Sequence, residues 1–140
     1  MKSNIRIAIV VSNYHKNITD ELLRHCLTTL RQRGLANGQI TTVRVPGSFE
    51  IPLAAKKLAK KKIFDAIIAL GVIHKGDTHH FELIANECAR GCMQVSLDME
   101  IPIIFEVLAV YKLEDALARA TRKRENRGVE AALAALKILI

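Results

Sequence analysis

The stretch Gly76-Asp77-Thr78-His79-His80-Phe81-Glu82 follows an apolar run, IIALGVI, and gathers a glycine, a hydroxyl, two imidazoles and two carboxylates within seven positions. Gly76 allows a tight turn and a close approach of backbone to a ligand. The N–H groups freed at the start of a following helix, with the positive end of its dipole, favour an anion, and Thr78 adds a hydroxyl donor. Asp77 opposes an anion unless its carboxylate turns away, and Asp77 or Thr78 is equally well read as a plain helix N-cap. An imidazole exchanges protons near neutral pH without special tuning. Successive helical residues point roughly 100° apart, so only one of His79 and His80 can face a given pocket. His80 has the pocket-facing phase if Leu83, Ile84 and Glu87 pack as one helical face; two exposed histidines at a helix start is the plainer alternative.

Other stretches offer weaker chemistry. In PGSFEIP, Gly47, Ser48 and Glu50 stand together, and Glu50 either completes a helix N-terminus capped by Ser48 or holds ligand hydroxyls. Tyr14 can stack on a flat ring or pack at a rim. Phe105, inside an apolar run, reads as core. Arg119, Lys123 and Arg127 recur at one or two helical turns and read as a solvated face. Cys26, Cys88 and Cys92 are an odd number, and the four-residue spacing of Cys88 and Cys92 has no histidine partner in sequence, which disfavours a disulfide framework and a zinc site and favours buried thiols in a reducing cytosol. No GxxxxGK[ST], GxGxxG, GxSxG or HExxH occurs. The common nucleotide loops, the serine-hydrolase elbow and the zinc-protease helix are therefore not supported.

These residues need elements to hold them. Periodicity predicts strands over 5–12, 41–47, 65–73 and 101–110. It predicts helices over 19–34, 48–62, 79–99, 113–123 and 127–139. Thr19 or Asp20 reads as the first N-cap, Gly34 as that helix's stop, Pro52 as a first-turn proline, and Asn126 as the last cap. Strict alternation of strand and helix implies an α/β fold with a four-stranded parallel sheet flanked by helices on both faces. Such sheets bind ligands beyond the carboxyl ends of their strands, which selects 12–17, 46–50, 72–80 and 105–112.

A length of 140 residues, half of them hydrophobic and a quarter charged, fits a single domain spanning 1–140. No apolar run approaches the ~20 residues of a membrane span. The apolar stretch after the charged lead MKSN is too short for a signal-peptide core, so the expected location is cytoplasmic. The net charge of +7 is concentrated in 56–62 and 119–127. Six aromatic residues, none interleaved with these basic runs, leave no base-stacking platform, and a nucleic-acid partner is disfavoured.

Taken in order, VPGSFEIP, DAIIALGVIHKGDTHHFELIANE, IPIIFEVL and RATRKRENRGVEAALAAL resemble the 6,7-dimethyl-8-ribityllumazine synthases of riboflavin biosynthesis, across essentially the whole chain. GDTHHFE matches that family's pattern G-x-T-x-H-[FY]-[DE] without a gap. The resemblance implies a flavodoxin-like three-layer sandwich and an enzyme that joins a ribitylaminopyrimidinedione to 3,4-dihydroxy-2-butanone 4-phosphate without metal or organic cofactor. It implies His80 as the proton carrier and His79 as a variable position. Asp77 and Thr78 would cradle the phosphate, Arg119 would reach it from a neighbouring subunit, and Lys123 would add positive potential nearby. Tyr14 would stack on the pyrimidine, Ser48, Phe49 and Glu50 would line its pocket, Ile73 and His74 would read the ring edge, and Phe105 would pack across the interface. The implied partner is the chain itself, as a homopentamer, a decamer or a sixty-subunit shell.

Departures from the family are local. Glu106-Val107-Leu108-Ala109-Val110 stands where G-[VI]-[LV]-T-T is usual, and a glutamate inside an apolar strand must find water or a partner. Lys75 replaces an arginine, His74 an apolar residue, and Ser12-Asn13-Tyr14-His15 stands for A-R-F-N. The altered fourth strand leaves a second reading open: an assembly or shell subunit with weakened or lost catalysis.

Overall fold

Six consecutive buried residues form β1 (Ile7–Ser12), and β3 (Ala66–His74) is buried through its first eight. Such unbroken apolar runs belong in the middle of a sheet covered on both faces. The computed structural model, which describes residues 4–139, places them there: the strand order is β2-β1-β3-β4, all parallel. The edge strands β2 (Ile40–Val45) and β4 (Ile103–Val110) are only partly buried. The three-layer α/β architecture expected from the sequence is therefore the one observed.

Alternating side chains of the sheet feed two cores. Ile7, Ile9, Val11, Ile68, Leu70 and Val72 pack with α1 (Lys16–Gln32), α4 (Leu113–Thr121) and α5 (Arg127–Ile138). Ala8, Val10, Ile67, Ala69 and Ile73 pack with α2 (Ile51–Ala59) and α3 (His80–Met99). The lysines at 56, 57, 60, 61 and 62 are exposed, as a solvated face would be, while Leu58 and Ala59 turn inward.

Several boundaries differ from the sequence expectation. α1 starts at Lys16, not at Thr19; Thr19 is fully buried inside the helix, and neither it nor Asp20 is the cap. The N-cap is His15, in the left-handed region at φ 57°. Ser48–Glu50 form a separate 3-10 turn ahead of α2, which stops at Ala59, with Pro52 in its first turn. Other expectations hold. Gly34 (φ +103°) follows α1, with its N–H on Arg31 O and the Leu35 N–H on Leu30 O, the paired bonds of a Schellman turn. Asn126 caps α5, its Oδ1 accepting from the Val129 N–H at 3.1 Å. Its Nδ2 donates to the carbonyls of Ala120 and Arg122, which ties α4 to α5. Residues 1–3, the charged lead to β1, lie outside the described residues. Among those described, no helix is long and apolar enough to cross a membrane.

α5 packs on α1 through Gly128, where an added Cβ would collide with the Leu22 carbonyl oxygen and stand 3.0 Å from His25 Cβ. Backbone cannot yield there as a flexible side chain can. Gly128→Ala should lower stability by about 2–3 kcal/mol, measured as a reduced urea midpoint at unchanged m-value, an overpacking cost. An unaltered midpoint would show that the α1–α5 contact is loose.

Candidate active site

β1 and β3 are neighbours, yet the helices that follow them leave on opposite faces of the sheet, α1 on one and α3 on the other. Between such diverging segments a parallel sheet opens a crevice at its carboxyl edge. A cavity of about 560 Å³ occupies this position. Tyr14, Ser48, Phe49, Glu50, Ile73, His74, Thr78 and His80 all line it, together with His15, Gly47, Val72, Gly76, Phe81 and Ile84. Residues drawn from three separate stretches of sequence thus meet in one pocket.

The wall after β1 is fastened to β2. The Asn13 N–H donates to Val45 O at 2.8 Å and the Tyr14 N–H to Pro46 O at 3.0 Å, continuing the β1–β2 ladder past the strands. Arg44 donates to Asn13 Oδ1 at 3.0 Å and pairs with Asp20 at 3.0 Å, and Lys16 pairs with Asp20 at 2.7 Å. Exposed pairs like these add roughly 0–1 kcal/mol each, so their main effect is to fix the loop. The hydrogen bond from Lys16, then Arg44, holds the Asp20 carboxyl below its usual range. His15, which the sequence reading did not single out, stands edge-on to Tyr14 at 4.6 Å and 6.2 Å from His74. Burial, then the nearby His74, lowers its pKa, which favours the neutral imidazole. The signal for it in the sequence was its place beside Tyr14 in the 12–17 strand exit.

The floor comes from the turn after β2. The Ser48 hydroxyl is buried and faces Gly71, where a Cβ would lie 2.7 Å from it. Ser48 therefore does not cap a helix. Glu50 bends back so that Oε1 accepts from the Gly47 N–H at 2.8 Å. Phe49 and Tyr14 are largely exposed over the cavity. From β3, Ile73 is buried and His74 Nε2 donates to the Tyr111 carbonyl at 3.1 Å, which sets the tautomer.

The third wall is the turn at 75–79. His79, not Asp77 or Thr78, is the residue before α3, and it makes no side-chain cap; Thr78 Oγ1 accepts from the His80 N–H at 3.3 Å. His80 lines the cavity and His79 does not. The phase argument behind that expectation fails, however. Leu83 is exposed, and the packed face of α3 runs through Phe81, Ile84, Ala85 and Cys88. His80 reaches the pocket because it begins the helix, beside Phe81 and Ile84. Asp77 stands in the turn between two lining residues, Gly76 and Thr78.

Three expected residues are elsewhere. Phe105 is not core: it is 40% exposed, because β4 is an edge strand. Phe105 and Arg119 line a second cavity of about 420 Å³ along β4, with Glu106, Asp115 and Arg127. Lys123 is exposed just past α4 and lines neither cavity. The three cysteines are free and buried. Burial, then Glu106, pushes the Cys26 thiol up to about 12, and a hydrogen bond with Cys92, then burial, raises Cys88 strongly; neither supplies a thiolate nucleophile.

The family model described as 6,7-dimethyl-8-ribityllumazine synthase matches residues 4–140. Within that match Glu106 is the residue least suited to its strand. It is half-buried on the α5 side of β4, and burial raises its pKa; Arg127 opposes the rise and Glu130 adds to it. A carboxyl with a raised folded pKa destabilises the fold increasingly as pH climbs above 4.5, the ordinary value, because only the unfolded chain then ionises freely. Glu106→Gln should accordingly melt at a higher temperature than wild type at pH 7, with the gap narrowing toward pH 4. A wild-type advantage at pH 7 would mean that Arg127 compensates the charge fully.

Proposed function

The chain belongs to this lumazine synthase family, and on that premise we propose that it condenses 5-amino-6-(D-ribitylamino)uracil with 3,4-dihydroxy-2-butanone 4-phosphate. The products are 6,7-dimethyl-8-ribityllumazine, inorganic phosphate and two waters. One observation supports the reading: Tyr14, the turn at 47–50, Gly76 with Thr78, and His80 border one cavity at the strand exits. Residues 1–140 act as one domain in this reading, since both cores share one sheet.

Tyr14 stacks on the pyrimidine, Ser48 and Phe49 wall it in, and Glu50 takes ribityl hydroxyls. Ile73 and His74 present backbone groups to the ring edge. The N–H groups of Asp77 and Thr78 and the Thr78 hydroxyl hold the phosphate ahead of α3, where the helix dipole favours an anion. The 5-amino group adds to the ketone, and loss of one water leaves an imine. Phosphate then departs with proton loss from carbon, and the ribitylamino nitrogen closes the ring with loss of the second water. His80 removes and returns the protons in these steps. Much of the acceleration is the holding of two reactants in register.

Arg119, Lys123 and Phe105 serve the same phosphate and ring only if a second copy brings its β4 edge to this pocket. Guanidinium suits that role because its fork matches phosphate oxygens. A closed ring of copies, a pentamer in this family, is the simplest arrangement that completes every site. The buried free thiols suit the reducing cytoplasm. The alternative, a shell subunit with failed catalysis, is motivated by Glu106 in β4 and would appear as a large homomeric particle without turnover.

Purified protein with both substrates should form the lumazine, read by absorbance and fluorescence, above the uncatalysed rate; a rate equal to background would defeat the enzyme reading. His80→Ala should lower kcat roughly 10- to 100-fold with KM within about threefold, as for a lost proton carrier in a site whose positioning survives. Arg119→Ala should chiefly raise KM for the phosphorylated substrate. Mixing the two impaired variants and allowing exchange should raise the rate, at a phosphorylated-substrate concentration below the KM of Arg119→Ala, above the mean of the two alone, because some sites then combine an intact His80 with an intact Arg119. A mixture no faster than that mean would rule out shared sites.

A further inference from the structure

Tyr111 follows β4 directly and is 71% exposed, an unusual position for an aromatic ring. Its contacts with His74, Lys75 and Phe81 reach toward the turn at 75–80. The β3–β4 register pairs His74 with Val110, and the Lys75 N–H extends that ladder to Val110 O at 2.9 Å, so Tyr111 sits beside the start of the turn. Its carbonyl accepts from His74 Nε2 at 3.1 Å. The Lys75 ammonium lies over its ring, 5.1 Å from the centroid. The Phe81 ring, one residue past His80, lies 6.0 Å from it at 34°. Tyr111 therefore touches both shoulders of the turn, before Gly76 and after His80, and also a histidine of the pocket wall. The turn itself, 75–80, is exposed throughout and has no core side chain to anchor it.

We infer that Tyr111 is a positioning residue, a clasp that fixes the 75–80 turn against the end of β4 and so presents Thr78 and His80 to the phosphorylated substrate. The inference rests on the proposed lumazine-forming reaction for its catalytic consequence, but not for the clasp itself. A ring is what the site needs. A cation over an aromatic face and an offset aromatic pair both act through the π system, and neither requires the hydroxyl. The backbone contact to His74 survives any side-chain replacement, so substitution isolates the ring's part. Tyr111 also lines the β4-edge cavity with Arg119, which places it between the anion turn and the element that carries the distant guanidinium.

The test compares wild type, Tyr111→Ala and Tyr111→Phe by amide hydrogen exchange over 75–84 and by steady-state kinetics. Tyr111→Ala should speed exchange in that segment roughly three- to tenfold, in keeping with the loss of one exposed cation–π contact and one ring pair. It should raise KM for the butanone phosphate severalfold while KM for the pyrimidine partner changes less than about twofold. Tyr111→Phe should restore both readouts. Unchanged exchange in Tyr111→Ala, equal rises in both KM values, or a Phe variant as impaired as Ala would each overturn the clasp. If wild type makes no lumazine while exchange responds as stated, the clasp stands and the proposed reaction falls.

Discussion

The divergence of the chain after β1 and β3 governs the molecule. Two parallel strands lie side by side, and their next helices must cover opposite faces of the sheet, because each face has its own apolar core to close. The backbone at the strand exits cannot follow both directions without parting, and the cavity is that parting. Its walls are the loops that the strands release, so their chemistry can vary while the cores stay intact. Polar and strained residues collect there accordingly: a left-handed His15, an inward Ser48, an uncapped start to α3.

The same constraint explains why one chain holds only part of the proposed machinery. β4 is an edge, one strand beyond the switch between β1 and β3, and the Phe105 of β4 and the Arg119 of α4 line a different cavity. Arg119 bonds to the carbonyl of Asp115 within its own helix rather than to anything in the crevice. A guanidinium parked on its own backbone has given up little and is available to a partner surface. The apolar residues left exposed, among them Phe49, Leu83, Met93 and Leu97, are in keeping with a protein whose surface is completed by further copies.

Electrostatics in the pocket is arranged more by dipoles and geometry than by charge. The basic residues are mostly peripheral, along α2 and past α4, while the pocket holds three imidazoles and a single glutamate. Burial, then the neighbouring His74, lowers the pKa of His15, which limits positive charge beside the Tyr14 ring. In the proposed reaction, anion binding falls to the turn before α3 and to Arg119 of another copy, a division by which one ligand would be gripped at its charged end and stacked at its flat end.

Most of the architecture could be read from pattern. Continuous apolar runs against alternating ones distinguish buried strands from edges, and β1 and β3 showed the former plainly. Gly34 and Asn126 announced helix ends because their roles are local: a positive φ and a side-chain cap involve only neighbours in sequence. The pocket residues at 14, 48–50, 73–74, 78 and 80 were visible as strand exits, since the carboxyl edge of a parallel sheet is a rule of topology. What the sequence could not supply is anything that depends on distant partners. The start of α1 moved three residues because His15 adopts a left-handed turn that the loop's bonds to β2 impose. Leu83 misled because helical phase says which residues share a face, not whether that face meets the sheet. Phe105 fell on the surface because strand order, a non-local property, put β4 at the edge. Residue types fixed the available chemistry; only the packing of one element on another decided which of those groups face one another.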